Sequence, residues 1–136
     1  GGLAGGLALA CPEAEIVVVE PEGWDDMTRS LAAGEILPVA PNPPPTACDA
    51  LQTLRVAELT FGILRDRNAR GVAVSEAETG AAMRWAFEQL RLVLEPGGAV
   101  ALAALLAGKV EPTDRTLVIL SGGNVDATTF TRMTGL

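Results

Sequence analysis

The sequence predicts an α/β fold, a mostly parallel sheet with helices on both faces. Three observations carry that expectation. Helical and strand patterns alternate along the chain, as they do where helices cover a parallel sheet. Short apolar runs rich in β-branched residues stand at 15–20, 71–74 and 116–120, the length of buried strands. Hydrophobic residues make up 49% of the 136 residues but aromatics only 4%, so the apolar mass is Ala, Leu and Val, suited to packed layers.

The elements follow in order. A glycine turn opens a helix over 3–11, which Pro12 closes. Glu15 to Glu20 is a buried strand. Asp25 or Asp26 caps a helix running to about Ala33, with Gly34 as its stop. Prolines at 38, 41, 43, 44 and 45 make 38–46 an extended connector, too short and too close to apolar flanks to separate domains. Glu58 to about Asn68 is a helix, and Gly71 to Val74 a short strand. Ser75 with Glu78 three residues on is a capping box for a long helix to about Val93. Pro96 starts the next helix, which Gly108 ends. Thr116 to Leu120 is the last strand, and a short helix follows Asp126. One domain, 1–136, accommodates all of this.

Composition excludes several functions. The net charge of −7 leaves nothing to neutralise a nucleic-acid backbone. There is no histidine, so histidine triads, metal sites and proton shuttles are ruled out of this chain. Cys11 and Cys48 lack zinc spacing and fit a reduced, cytoplasmic protein. The longest apolar run, Ala99 to Ala107, is too short to span a bilayer. The apolar start has neither basic flank nor cleavage signal, and reads as the interior of a longer chain.

Two places invite a ligand. Gly1, Gly2 and Leu3 open a helix whose free N–H groups and dipole favour a phosphate. Ser121, at the carboxyl end of a strand and followed by two glycines, sets a hydroxyl where open α/β sheets bind ligands. Gly1 to Gly6 followed by Glu20 at a strand end also imitates a Rossmann-like dinucleotide or adenosylmethionine pattern, with Glu20 on ribose hydroxyls. That alternative leaves the Ser121-Gly-Gly-Asn124 and Glu95-Pro-Gly-Gly-Ala99 segments unexplained.

The segments GGLAGGLALA (1–10), VVVEPEGWDDMTRSLAAGE (17–35), ELTFGILRD (58–66), RLVLEPGGAVALAALLAGK (91–109) and LVILSGGNVD (117–126) resemble, in order, the pyridoxal-phosphate-dependent threonine/serine dehydratases, a group that includes serine racemase. The resemblance implies the large domain of a fold type II enzyme, of which this chain is the carboxyl-terminal part. It implies pyridoxal 5'-phosphate as cofactor and a small amino acid as substrate. The intact enzyme would be a homodimer or homotetramer releasing ammonia and a 2-oxo acid from L-threonine or L-serine. Serine racemase activity is the alternative within the group.

Site residues follow from the same resemblance. Gly1, Gly2 and Leu3 would hold the cofactor phosphate, Ser121 would hydrogen-bond the pyridine nitrogen, and Glu95 would order the cofactor side of the site. Glu20, the carbonyl of Trp24, and Asp26 would hold Mg²⁺ or Ca²⁺, for which oxygen ligands are suited. Alternatively, Asp25 and Asp26 only cap a helix, Glu20 is an ordinary strand-end acid, and Glu95 caps the helix after it. The family's Schiff-base lysine belongs upstream. Lys109, the only lysine, stands outside its motif and reads as a solvated helix-end cation. Thr46-Ala-Cys48-Asp-Ala50 departs from the family's Thr-Ile-Ala-Asp-Gly, so Cys48 and Ala50 are expected to shift or reshape the pocket.

Overall fold

The computed structural model describes all residues, 1–136. The chain forms two compact units, Gly1–Pro44 with Gln52–Ala73, and Pro45–Leu51 with Val74–Leu136.

The first unit contains helix α1 (Gly2–Ala10), strand β1 (Val17–Pro21), helix α2 (Asp26–Ala33) and helix α3 (Glu58–Asp66), with strand β2 (Arg70–Val74) paired to β1 in a two-stranded parallel sheet. Its interior is Ala8, Val18, Met27, Val56, Phe61, Leu64 and Ala69, one or more residues from each element before β2. Leu64 is fully enclosed, and truncating such a leucine to alanine costs about 2–5 kcal/mol. The α2 stop is as expected: Gly34 adopts φ +76°, and its N–H bonds the Ser30 carbonyl. The proline connector forms neither helix nor strand. Trp24 ties it down by donating its indole N–H to the Pro44 carbonyl at 2.8 Å.

The second unit packs helix α4 (Glu76–Trp85) against α5 (Pro96–Leu106) and α6 (Ala127–Thr134). Ala82, Met83, Ala99, Ala103 and Ala104 fill the space between them. Small residues let the helix axes approach, and Gly80 does so most closely: an added Cβ there would collide with the Met133 carbonyl oxygen. The capping box of α4 is present in full, Ser75 Oγ accepting from the Glu78 N–H and the Glu78 carboxylate from the Ser75 N–H.

Three expectations fail locally. α4 does not continue to Val93; after Trp85 the backbone widens into a π-helical segment, Ala86–Leu90, closed by Arg91 at φ +59°. The Arg91 guanidinium donates to the carbonyls of Phe87 and Glu88, satisfying the end in place of a glycine cap. Residues 116–120 form no strand, because no neighbouring strand supplies a hydrogen-bonding ladder; Leu117 is 81% exposed. A single 3-10 turn at Asp49–Leu51 appears where no element was expected.

Candidate functional site

In the first unit, Gly1 occupies the N-cap position of α1, and no side chain caps that N-terminus. Helix starts leave their first N–H groups without intrahelical partners. No side chain takes these donors, a chemistry that suits a phosphate. Ends of flexible side chains border the turn: a Cβ on Gly1 would lie 2.7 Å from Met27 Cε and 3.0 Å from Thr60 Oγ1.

In the same unit stands the acidic pair. The Glu20 carboxylate, at the end of β1, reaches the start of α2 and accepts from the N–H of Met27 (3.1 Å), the N–H of Thr28 (2.8 Å) and the hydroxyl of Thr28 (2.7 Å). Glu20 is therefore the cap of α2, and the expectation that Asp25 or Asp26 caps it is corrected: Asp25 occupies the N-cap position but makes no side-chain cap bond. A long acid from the preceding strand reaches two amides at once, which a local aspartate does not.

Asp26 is 1% exposed, and its Oδ2 has no hydrogen-bond partner. Burial raises its pKa above the usual aspartate value. Burial also raises that of Glu20, against the lowering effect of its Thr28 and Met27 bonds, with the charge of Asp26 adding to the rise. An enclosed, unpartnered carboxylate oxygen beside a second acid suits a divalent cation. No group of three or more His, Cys, Asp or Glu side chains gathers anywhere in the chain, so an ion here would also need carbonyl oxygen or water. The Trp24 carbonyl is the expected one.

In the second unit, Glu95 joins two of the sequence segments. It occupies the N-cap position of α5 without capping it. Instead its carboxylate accepts the Asn124 N–H at 2.9 Å, while its own N–H donates to the Gly122 carbonyl at 3.0 Å. The glycines permit this closeness. A Cβ on Gly122 would lie 2.5 Å from Glu95 Oε1, and one on Gly98 2.5 Å from the Gly122 oxygen. Ser121 is thus exposed on a loop whose next residues are fastened to α5.

Alongside lies a cleft of about 240 Å³ whose lining includes Thr46, Ala47, Asp49, Pro96, Asn124 and Arg132. Cys48 is not in its lining. It is fully buried in the unit's interior, where burial pushes its thiol up to about 11. Its side chain packs in the interior. Lys109 differs from expectation: rather than being solvated, it pairs with Glu78 at 2.7 Å with its side chain 29% exposed. Sequence reading missed the Glu20 cap and the Glu95 clasp because both join residues distant from the groups they serve.

Helices with a parallel sheet, matched by solved threonine deaminase structures, make this an α/β protein of the fold type II pyridoxal-phosphate class. The chain belongs to the pyridoxal-phosphate dependent enzyme family, whose pattern matches residues 1–122. It is 39% identical to phenylserine dehydratase of Ralstonia pickettii over 142 aligned positions, covering 100% of this chain and 43% of that protein. It is 34% identical to serine racemase of Dictyostelium discoideum, covering 98% of this chain and 43% of the relative. Among solved structures, the T.th. threonine deaminase superposes with a TM-score of 0.80 at 41% identity, over 92% of this chain and 45% of that one. The chain thus spans less than half the length of these relatives. Family membership removes the Rossmann-like dinucleotide or adenosylmethionine alternative. No helix is long and apolar enough to cross a membrane.

Proposed function

We propose that the intact protein is a pyridoxal-phosphate-dependent L-threonine/L-serine ammonia-lyase, and that residues 1–136 are the carboxyl-terminal part of its dehydratase domain. The observation that supports this most is the Glu95 clasp, which fastens the Gly122–Asn124 loop and leaves Ser121 exposed beside it. Relatives with dehydratase and deaminase names agree with it.

Pyridoxal phosphate, when bound, supplies an electron sink for negative charge at the substrate Cα. Within this chain, the N–H groups of Gly2 and Leu3 with the turn at Gly1 hold its phosphate. The Ser121 hydroxyl would be the partner of the pyridine nitrogen. A hydroxyl would bring no charge to hold that nitrogen protonated, so the group would supply only a moderate electron sink. Glu95 holds the serine loop at its register. The lysine that binds the cofactor and takes the Cα proton belongs to the family's upstream motif, since Lys109 is engaged by Glu78. The β-hydroxyl would leave as water, and a water would then hydrolyse the released enamine, freeing ammonia and giving 2-oxobutanoate from threonine or pyruvate from serine. Racemisation of serine is the second reading, favoured by the serine racemase relatives. We further assign Glu20, the Trp24 carbonyl and Asp26 to Mg²⁺ or Ca²⁺, and a homodimer or homotetramer to the intact enzyme.

The test compares 2-oxo acid release with exchange of the substrate Cα–H. Ser121→Ala weakens cofactor retention by about 0.5–1.5 kcal/mol, the net worth of one hydrogen bond. Ser121→Asp, whose charge favours a protonated ring nitrogen, lowers 2-oxo acid release relative to exchange. Unchanged retention in the first and an unchanged ratio in the second would remove Ser121 from the ring.

A further inference from the structure

A second carboxylate acts on the cleft from the start of α4. Glu76 is the first residue of that helix, yet the helix already has its cap in Ser75 and Glu78. The Glu76 carboxylate turns elsewhere. It accepts the Thr46 hydroxyl at 3.0 Å and the Ala47 N–H at 2.8 Å. Thr46 Oγ1 in turn accepts the Cys48 N–H at 3.1 Å. These bonds fold residues 46–48 into a tight turn, and the enclosed Cys48 side chain pins it to the interior.

The consequence reaches the cleft. Residues Asp49–Leu51 continue from the turn as the 3-10 segment and lie over the start of α5. An added Cβ on Gly97 would sit 3.6 Å from Leu51 Cγ and 3.7 Å from Ala50 Cβ, in ordinary contact. Thr46, Ala47, Asp49, Pro96 and Asn124 all line the cleft. Glu95 holds Asn124, and Glu76 holds Thr46 and Ala47.

We propose that Glu76 is a positioning residue: it holds the 46–51 turn against the start of α5, the stretch from which Glu95 clasps the loop that follows Ser121, and so sets how tightly the cofactor is retained. The inference rests on the cofactor reading given above. Glu76 reaches the ligand only through Thr46 and Ala47. Its loss therefore alters binding more than the chemical step.

The test uses the full-length enzyme with pyridoxal phosphate, following cofactor fluorescence and dissociation, KM, kcat and Tm. Glu76→Ala and Thr46→Val, which break the clasp from opposite ends, each weaken cofactor retention roughly tenfold. Both shift cofactor emission alike and raise KM more than they lower kcat, and the double variant is no worse than the worse single one. Glu76→Gln, which keeps an acceptor for the Ala47 N–H, recovers part of the loss. Glu78→Gln, which weakens the true helix cap, lowers Tm but leaves emission and retention alone. If Glu76→Ala behaves like Glu78→Gln, changing Tm only, Glu76 is a stabilising acid and the proposal is overturned. If Glu76→Ala does not fold, Thr46→Val decides alone: unchanged emission and retention overturn the proposal. A wild-type enzyme that binds no cofactor instead overturns the cofactor reading, and this inference with it.

Discussion

The two cysteines occupy opposite surroundings, and their chemistry follows. Cys11 is exposed and Cys48 is fully enclosed, with its thiol raised to about 11 by burial. The thiolate is the reactive form. Iodoacetamide at pH 8 should therefore modify one thiol per native chain, mapped to Cys11 by mass spectrometry, and both only after denaturation. Modification of native Cys48 would refute its enclosure. Glu20 and Asp26 show a second residue-scale division of labour. Glu20→Ala removes a cap shared by two amides and should cost about 1–2 kcal/mol without metal, and more with it, since a ligand of the ion goes too. Asp26→Asn removes an enclosed charge, so without metal it should not destabilise the protein; its cost should appear only with the ion. Mg²⁺ or Ca²⁺ at 100 times its dissociation constant adds roughly 2.7 kcal/mol to the intact protein, and Asp26→Asn abolishes that gain in a thermal melt. A melt indifferent to chelator would leave Glu20 as a helix cap alone.

At the scale of elements, close approach decides what sequence pattern leaves open. α6 rests on α4 because Gly80 leaves room for the Met133 carbonyl, and the Arg84 guanidinium donates to the Thr134 carbonyl beside it. Phe87 and Phe130 add an edge-to-face contact at 5.5 Å. Gly80→Ala raises intrinsic helix propensity, so an isolated helix would gain up to about 1 kcal/mol. Here the methyl must displace backbone, which costs about 1–3 kcal/mol. The prediction is a net loss in urea-unfolding free energy, with faster hydrogen exchange in α6. A gain would mean that α6 does not pack where it is described. The π-helical segment after Trp85 was not legible for a related reason. Its end is made by the Arg91 side chain and not by a glycine, so no sequence stop signal marks it.

At the scale of the whole molecule, an ion pair in the second unit contributes to acid stability. Lys109 at the end of α5 holds Glu78 of α4 at 2.7 Å. That hydrogen bond, with the Ser75 N–H, draws the Glu78 carboxyl below its ordinary value of 4.5. A depressed folded-state pKa makes the native state favour the ionised form. The stabilisation is complete above pH 4.5 and is lost as pH falls from there through the folded value. Lys109→Met should therefore lower stability at about pH 7 and flatten its decline in the acid range, read from denaturant midpoints across pH. Parallel curves for wild type and variant would show that the pair is not formed.

The sequence by itself determined the α/β class, the places of its helices, the capping box at Ser75 and Glu78, the Gly34 stop and the family. These rest on local chemistry: periodicity, turn residues and caps act within a few positions, and ordered motifs identify kinship. Only the tertiary structure decided that Glu20 caps α2, that Glu95 and Glu76 fasten residues lining the cleft, that Cys48 fills the interior and that Lys109 is paired. It also showed that residues 116–120 pair with no strand within residues 1–136. Each of these joins groups 7 to 31 residues apart, or depends on the enclosure of a side chain. Long side chains choose partners by proximity in the folded chain, and that proximity is fixed by how helices and turns pack.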